Sequence, residues 1–232
     1  MDPAPVGPVR APRLAARAAV AAGRGLAVIA PARVARRRPP LNEVAAGPDG
    51  RLRCPWGLRA PDYLAYHDEE WGKPVHGPSA LFERLSLEAF QSGLSWLTIL
   101  RKRPAFRAAF AGFEPAEVAR FDEADIARLV TDTSIVRNRA KIEATVHNAR
   151  AVLDLDRPFD ALLWSFAPSA PSDAPRTLDD VPATTDQSVA MSRELKSLGF
   201  RFVGPTTAYA LMQATGMVND HLADCAFRRQ PL

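Results

Sequence analysis

Two cysteines and two histidines have the residue types and the spacing to bind one metal ion together. Cys54 and His67 are separated by twelve residues, and His221 and Cys225 are separated by three. Positions i and i+4 share one face of a helix, so His221 and Cys225 could bind the same ion. A Cys2His2 set is typical of structural zinc, which would join the two ends of the folded chain. The order Cys, His, His, Cys is not that of a zinc finger, and burial of these side chains in a core without metal is the alternative.

Aromatic side chains concentrate between residues 54 and 96. This window holds five of the seven Trp and Tyr residues of the chain, namely Trp56, Tyr63, Tyr66, Trp71 and Trp96. Indole and phenol rings grouped in this way could form the wall of a site for a planar aromatic or cationic ligand. The alternative is a small aromatic core that holds the N-terminal segment against the helices, and composition does not separate the two.

Glu88 is the carboxylate whose position in the sequence indicates a functional role. It follows Leu81 by seven residues and Leu85 by three, which places it on the apolar face of a predicted helix. A carboxylate on such a face is either buried with a partner or lines a cavity. An inward acid beside indoles suits a ligand with positive charge and N–H donors. The alternative is a structural salt bridge, for instance to Arg84 or Lys141.

The segment 202–208 joins two predicted helices and could bind an anion. Gly204 permits the close approach of another backbone, and Pro205 begins the next helix without needing an N–H of its own. The amides of Thr206, Thr207 and Ala208 are then predicted to be free at a helix N-terminus, which favours a phosphate group. An ordinary connection between helices is the alternative.

The elements that must position these residues are predicted to be helices, because no segment shows the sustained alternation that indicates a sheet. Ser79 is a candidate N-cap for the helix that carries Glu88. A later helix is predicted between the candidate cap Asp186 and the stop signal Gly199, and a last short one over residues 206–215. Residues 167–185 are rich in Pro, Ser, Thr and Asp and are predicted to form a long surface loop. The expected fold class is all-α.

Length and composition limit the class of protein. The chain has 232 residues, of which 47% are hydrophobic and 24% are charged, so it can bury a sizeable core. Two cysteines 171 positions apart do not make a disulfide scaffold, which favours a reducing compartment such as the cytoplasm. Arg24 interrupts the longest apolar run, at residues 18–30, so no membrane span is predicted.

Charge is distributed unevenly along the chain. Residues 1–40 contain eight arginines and one aspartate, a net charge of +7, whereas the remainder carries −3. Residues 1–48 contain no aromatic residue and are predicted to be a disordered tail rich in Ala, Arg and Pro. A transit segment, a misassigned start and a DNA-contacting arm are alternatives for that tail. Residues 49–232 are predicted to form a single all-α domain.

Three motifs in the same order resemble those of the 3-methyladenine DNA glycosylase I family. They are YHDEEWG at 66–72, LEAFQSGLSW at 87–96 and GMVNDH at 216–221, and residues 200–214 also match the family pattern. The similarity covers about residues 52–228. That family belongs to the helix-hairpin-helix DNA glycosylase superfamily. The resemblance therefore implies an all-α helical body with a zinc site that joins its N- and C-terminal ends.

The resemblance implies a DNA repair enzyme that flips 3-methyladenine out of alkylated double-stranded DNA and hydrolyses its N-glycosidic bond. It implies that structural Zn2+ is bound by Cys54, His67, His221 and Cys225. It also implies a base pocket, with Glu88 as the catalytic residue, formed by Tyr66, Trp96, Trp71, Trp56 and Glu88.

Contacts to DNA are expected outside that pocket. Leu94 is the candidate wedge that fills the gap left by the extruded base, and a core leucine is the alternative. Backbone phosphate is expected to bind at Gly204, Thr206 and Thr207. Arg103 and Arg201 are the nearby side chains expected to support this binding.

Other features limit the mechanism. The family is regarded as lacking the catalytic aspartate of other superfamily members, so Asp220 is expected to be structural or to support the neighbouring zinc ligand. No lysine lies in the predicted helix at 206–215, so lyase chemistry through an imine is not expected. The protein is expected to act as a cytoplasmic monomer. A zinc-stabilised DNA-binding module without chemistry and a nucleoside hydrolase without activity on duplex DNA are the competing interpretations.

Overall fold

The computed structural model describes residues 42–170 and 173–228, and nine α-helices follow one another in this part of the chain. They are α1 (Pro61–Glu69), α2 (Pro78–Gln91), α3 (Trp96–Ala109), α4 (Pro115–Val118), α5 (Glu123–Thr131), α6 (Arg139–Leu153), α7 (Phe159–Trp164), α8 (Asp186–Ser197) and α9 (Pro205–Ala214). Short 3-10 turns occur at Pro55–Leu58, Ala111–Phe113 and Leu178–Asp180. The predicted all-α class is confirmed. No helix within the described ranges has both the length and the apolar character needed to cross a membrane.

The N-terminal part of the described chain forms a two-stranded hairpin, which the sequence analysis did not predict. Strand β1 (Ala45–Ala46) pairs antiparallel with β2 (Leu52–Arg53). The turn between them contains Gly50, whose φ of 78° is readily adopted only by glycine. Within residues 42–48, Ala45 and Ala46 are therefore paired with Leu52 and Arg53, whereas the prediction placed all of residues 1–48 in a disordered tail. Residues 1–41, where the rest of the predicted tail lies, are outside the described residues.

Helix α2 begins two residues earlier than the predicted cap at Ser79 allows. Its N-cap is Gly77, with φ 87°, and Pro78 occupies the first helical position, so the assignment of Ser79 as N-cap was wrong. The Gly77 N–H donates to Asp160 Oδ2 at 2.7 Å, and this bond holds the start of α2 against α7. A proline whose N–H is not needed competes well with serine for the start of a helix.

Helices α8 and α9 are joined by a tight turn. The N-cap of α8 is Thr185, whose hydroxyl oxygen accepts the Ser188 N–H, so the assignment of Asp186 as cap was wrong by one residue. The predicted stop at Gly199 is confirmed, since Gly199 has φ 87° and the Phe200 N–H donates to Leu195 O at 2.9 Å.

Helix α6 holds this turn in place. The Asn148 side chain donates to Arg201 O at 3.0 Å and accepts the Arg201 N–H at 2.8 Å. From α8, the Ser192 hydroxyl donates to Val203 O at 2.7 Å. The turn is thus fixed by side chains on two helices, and its outer edge is left for other contacts.

Helix α2 lies at the centre of the packing, with α3, α6, α7 and α9 against it. Its side chains Leu81, Phe82, Leu85 and Phe90 are fully buried. Burial of each such side chain contributes about 1.5–3 kcal/mol relative to exposure. Because Glu88 lies on the same helix face, the core that stabilises α2 also carries this carboxylate out of water.

Candidate active site and metal-binding cluster

A cavity of about 370 Å³ lies between the helices that the aromatic motifs form, a volume suited to a small ligand. Its walls come from α1, α2, α3, α9 and the segments that follow α1 and α9. It is lined by Trp56, Arg59, Tyr63, Tyr66, Trp71, Glu88, Gln91, Trp96, Leu178, Val181, Ala210, Gln213 and Asp220. All five residues predicted for the base pocket are in this set.

The aromatic rings pack against one another in edge-on and tilted arrangements and still leave the cavity open. The ring centroids of Trp56 and Trp71 are 5.0 Å apart at an interplanar angle of 81°. Those of Tyr66 and Trp96 are 5.4 Å apart at 48°. Such arrangements stabilise aromatic pairs by about 0.5–1.5 kcal/mol beyond their burial. The same rings therefore form a small aromatic core and also the wall of the cavity. The two alternatives from the sequence are both present in the structure.

Tyr63 fixes the relative position of α1 and α3. Its hydroxyl oxygen accepts the Leu97 N–H at 2.9 Å, in the first turn of α3. Because Tyr66 lies one turn further along α1 and Trp96 begins α3, this bond holds the two rings beside the same cavity.

Glu88 is buried without a partner. Its exposed fraction is 6%, and among the described residues its carboxylate has neither a hydrogen bond nor an ion pair. Burial raises the pKa of Glu88 to about 8, although the charge of Arg84 acts in the opposite direction. An unpaired buried carboxylate is costly, and a cation placed in the cavity would offset that cost.

The two basic residues considered as salt-bridge partners of Glu88 are engaged elsewhere, so the salt-bridge alternative was wrong. Arg84 donates to Glu83 at 2.9 Å and to Glu70 at 3.0 Å. Lys141 donates to Phe90 O at 2.9 Å and to Ser92 O at 2.6 Å. Lys141 therefore caps the C-terminal end of α2 and shapes the turn that follows it.

Tyr66 offers a hydroxyl to the same cavity. Burial raises the pKa of Tyr66 well above its usual value, and the charge of Glu88 raises it further, so the phenol keeps its proton. Within the described chain this hydroxyl has no hydrogen-bond partner, and the residue is 3% exposed. The site thus presents the Tyr66 hydroxyl as a donor and the Glu88 carboxyl group beside indole rings.

Asp220 lines the cavity, which the sequence analysis did not anticipate. Its Oδ2 accepts hydrogen bonds from the Tyr209 hydroxyl at 2.6 Å and from Gln213 Nε2 at 2.7 Å. The carboxylate is therefore turned towards α9, which agrees with the structural role expected for Asp220 and not with the alternative that it supports the adjacent metal ligand. The spacing of Tyr209 and Gln213, four residues apart on one face of α9, was the available signal.

Other lining residues were also missed. Arg59 is exposed and is the one basic residue among the lining residues given above. Leu178 and Val181 come from the segment between α7 and α8, which was predicted to be only a surface loop. Their contact with the cavity depends on tertiary packing, which local sequence patterns do not encode.

The four predicted metal ligands meet in one buried cluster, which could hold a metal ion. The ligand atoms of Cys54, His67, His221 and Cys225 all lie within 4.8 Å of one another. His67 Nε2 and His221 Nδ1 are 3.2 Å apart, and Cys225 Sγ is 3.5 Å from each of them. Cys54 Sγ is 3.8 Å from His221 Nδ1.

Neighbouring groups orient both imidazoles with lone pairs towards the cluster centre. His67 Nδ1 lies 2.7 Å from Asp68 Oδ1, and His221 Nε2 lies 3.2 Å from Trp71 O. Both partners are acceptors, so each ring carries its N–H on the outer side. The two inner nitrogens then face each other with lone pairs, an arrangement that a cation would stabilise. Asp68 is itself held by buried Arg53 at 2.8 Å.

The two thiols differ in acidity. The neighbouring Cys54 thiol, together with the imidazoles of His221 and His67, lowers the pKa of Cys225 far below its usual value. The same contact with Cys225, together with burial, raises the pKa of Cys54. The first thiolate therefore forms at Cys225, and a second thiolate beside it requires a bound cation.

The predicted DNA-contacting residues lie outside the cavity. Leu94 is 42% exposed in the turn between α2 and α3, so the alternative that it is a core leucine was wrong. Gly93, with φ 82°, forms the tip of that turn. Arg103 is not a free cation, since its guanidinium donates twice to Glu70 at 2.6 Å.

Gly204 forms the N-cap of α9 and faces open space. No heavy atom lies within 4 Å of the point where a Cβ of residue 204 would be. The Ala208 N–H donates to Gly204 O at 2.8 Å, so the expectation of a free Ala208 amide was wrong. Thr206 is exposed, and Thr207 is half-buried. Helix α9 connects this end of the structure to the cavity, which Ala210 and Gln213 line.

Comparison with known proteins agrees with this geometry. The family model described as methyladenine glycosylase matches residues 56–229. DNA-3-methyladenine glycosylase 1 of Escherichia coli (strain K12) is 46% identical over 177 residues, which cover 75% of this chain and 95% of that protein. The DNA-3-methyladenine glycosylase of Haemophilus influenzae is 44% identical over 178 residues, which cover 75% of this chain and 96% of that one.

Solved structures show the same fold. A crystal structure of 3-methyladenine DNA glycosylase I superposes with a TM-score of 0.73 at 43% identity, over 77% of this chain and all of that one. A structure of the Staphylococcus aureus enzyme, determined for 3-methyladenine recognition, gives a TM-score of 0.71 at 38% identity, over 75% and 95% of the two chains. The chain therefore belongs to the methyladenine glycosylase family.

Proposed function

We propose that this protein excises 3-methyladenine from alkylated double-stranded DNA by hydrolysis of the N-glycosidic bond. The observation that carries the proposal is the buried, unpartnered Glu88 in a cavity walled by indole and phenol rings. Relatives named as DNA-3-methyladenine glycosylases support the choice of substrate. The base-binding residues are Tyr66, Trp96, Trp71, Trp56 and Glu88.

Selection of the damaged base follows from its charge. Adenine methylated at N3 is cationic while it is attached to the sugar, whereas normal adenine is neutral. Each aromatic face contributes about 0.5–2 kcal/mol of cation–π attraction, and Glu88 adds a charge-assisted hydrogen bond to the adenine edge. A neutral base enters without either gain, and beside it the buried Glu88 keeps its proton.

Hydrolysis of the N-glycosidic bond mainly requires that the methylated base is held in the correct position. The C1′–N9 bond breaks and its electron pair moves to the base, which leaves as neutral 3-methyladenine. Water forms the new bond to C1′ and loses a proton. Glu88 is the proposed catalytic residue, because it holds the base in the geometry in which departure is favoured.

The base must leave the DNA stack to reach this cavity, at a cost of a few kcal/mol that is smallest for damaged pairs. Leu94, exposed at the tip between α2 and α3, is the proposed wedge. The α8–turn–α9 unit is proposed to act as a helix-hairpin-helix that binds backbone phosphate at Gly204, Thr206 and Thr207. Open space over Gly204 supports this approach.

We also propose that the enzyme has no lyase activity. An imine intermediate needs an amine in the site, and the residues that line the cavity include no lysine. Helix α9 contains none either. Release of the base without strand cleavage is the expected product pattern.

Structural Zn2+ is the proposed ion in the cluster of Cys54, His67, His221 and Cys225. A tetrahedral zinc site with ordinary bond lengths has N–N, N–S and S–S separations of about 3.3, 3.5 and 3.8 Å. The observed 3.2 Å between nitrogens and 3.5 Å between Cys225 Sγ and each nitrogen fit these values. When bound, the ion would supply cross-linking of the two chain ends, and four protein ligands would leave no site for water.

The remaining parts of the proposal concern the cellular compartment, the oligomeric state and the domain boundary. Free, buried cysteines support a reducing compartment, and we place the protein in the cytoplasm. We propose that it acts as a monomer on DNA. Residues from 49 onwards are proposed to form the single glycosylase domain, together with the hairpin strand that precedes them.

The decisive experiment is single-turnover release of free base from methylated duplex DNA, measured by chromatography. The proposal predicts release of 3-methyladenine well above the spontaneous rate, and release at that rate would leave only a DNA-binding module. A Gly204→Leu variant separates duplex repair from nucleoside hydrolysis. The φ of −64° and the open space at residue 204 allow this change without a clash. Loss of duplex activity is expected, and retention of full activity would remove the hairpin from DNA binding.

A further inference from the structure

One wall of the cavity differs in character from the aromatic side. Leu178 and Val181 line it with aliphatic groups, and both come from the segment between α7 and α8. Leu178 is half-buried and also packs on the small apolar cluster of Cys54, Leu222 and Cys225. The same side chain therefore contacts the cavity and the metal-binding end of the molecule.

Residues from outside the family match hold this wall in position. Asn42 O accepts the Leu178 N–H at 2.8 Å, and Asn42 Nδ2 donates to Asp179 Oδ2 at 2.6 Å. Val44 packs on the same apolar cluster as Leu178. Asn42 and Val44 both precede residue 56, where the match to the family model begins.

The segment that carries Leu178 is also held by a hydrogen bond to the C-terminal part of the chain and by hydrogen bonds within the segment itself. Pro175 O accepts the Ala223 N–H at 2.7 Å, which attaches it to the chain just after His221. Asp180 Oδ2 accepts the Thr177 N–H at 2.8 Å and the Arg176 N–H at 3.0 Å. With these bonds in place, Leu178 cannot withdraw from the cavity without breaking backbone hydrogen bonds.

We infer that Leu178 is a specificity-determining residue that limits the size of the base the cavity accepts, and that Asn42 is the positioning residue that keeps it there. The inference rests on the proposed function, since it concerns the same cavity. A wall fixed on two sides excludes an added methylene, and in an apolar pocket one methylene changes discrimination by about 10–200-fold. Truncation of the wall removes part of that discrimination.

The test compares methylated with ethylated substrate in the full-length protein. Single-turnover release of 3-methyladenine and of 3-ethyladenine is measured from alkylated duplex DNA for wild type and Leu178→Ala. The ratio of the two rates is expected to shift about tenfold towards the ethyl base in the variant. Leu153→Ala, which truncates a leucine that is 54% exposed at the end of α6, is the matched control and leaves the ratio unchanged. An unchanged ratio in Leu178→Ala overturns the inference.

The role of Asn42 is tested by reversal of its hydrogen bond. Asn42→Asp places a carboxylate against Asp179 and is expected to shift the same ratio in the same direction, by about threefold. The double variant Asn42→Asp/Asp179→Asn restores a donor and an acceptor in reversed order, and it is expected to recover the wild-type ratio. A purely structural role would not change selectivity. An unchanged ratio in Asn42→Asp, or a ratio in the double variant that does not return to the wild-type value, overturns the positioning role of Asn42.

Failure of the proposed function gives a different pattern. Affinities for the fixed cations 3,9-dimethyladeninium and 3-ethyl-9-methyladeninium can be measured from tryptophan fluorescence without any reaction. If wild type released no base from DNA, the proposed function would fail. The shift in relative affinity between these two cations would still support or overturn the role of Leu178.

Discussion

Two consecutive residues, Asp220 and His221, face two different regions, the aromatic cavity and the candidate metal-binding cluster. His221 is turned into the cluster, where its partners are another ligand and the Trp71 carbonyl. Asp220, the residue before it, is turned to α9 and the cavity. In the cluster the four candidate ligand atoms lie within 4.8 Å of one another, whereas in the cavity the carboxylate of Glu88 has no protein partner among the described residues. The difference teaches that the polar atoms of one region converge on one another, while the other region leaves a buried acid beside open space.

The largest expected effect of a single change is in the cluster. Cys225→Ser removes the thiol that ionises most readily, so metal content and thermal stability are expected to fall together, with a decrease in Tm of about 10 °C or more. Metal analysis and a thermal melt on the same preparation check this. A variant that loses its metal but keeps its Tm would show that the cluster does not stabilise the fold.

The next largest effect is expected in the cavity and does not involve the candidate metal-binding cluster. Glu88→Gln keeps the size of the side chain but removes its charge, so single-turnover release of 3-methyladenine is expected to fall about 10²-fold. Metal content is expected to equal that of wild type. Activity within threefold of wild type would contradict the comparison, because the unpartnered carboxylate would then have no role in the reaction.

These two predictions rest on residues that the sequence identified for physical reasons. The types and spacing of the two cysteines and two histidines indicated a metal site with a metal-free core as the alternative, and the position of Glu88 on the apolar face of α2 indicated an acid that is buried or lines a cavity. The position of Leu178 could not be derived, because it depends on contacts between segments far apart in the chain, and for Asp220 the spacing of Tyr209 and Gln213 was the available signal. The caps at Gly77 and Thr185 were missed by one or two residues, since neighbouring residues of similar propensity compete for the cap.

A smaller effect is expected at the wedge. Leu94→Ala removes an exposed side chain without opening a cavity in the core, so stability should stay unchanged. Release of base from duplex DNA is expected to fall about tenfold, because the gap left by the extruded base is no longer filled. The same measurement on Leu153→Ala, which is expected to behave as wild type, is the control. An equal loss in both variants would argue against a wedge.

The smallest effect concerns pH and the free protein. The folded state keeps the Glu88 proton up to about pH 8, whereas the unfolded chain releases it near the ordinary value of 4.5. Between these values the unfolded state binds fewer protons, so the contribution of Glu88 makes stability fall as pH rises through that window. Thermal melts at pH 5 and pH 8.5 should therefore show a steeper fall for wild type than for Glu88→Gln. Parallel falls would mean that Glu88 is not desolvated.

The central claim is that an unpartnered anion among aromatic rings selects a cationic purine. Calorimetry at pH 8 with 3,9-dimethyladeninium, a fixed cation, and neutral 9-methyladenine tests it most directly. The account predicts that wild type binds the cation at least about tenfold more tightly, and that Glu88→Gln keeps only the part of this preference that the aromatic faces supply. Equal affinities in wild type, or the same preference for the cation after Glu88→Gln, would contradict it.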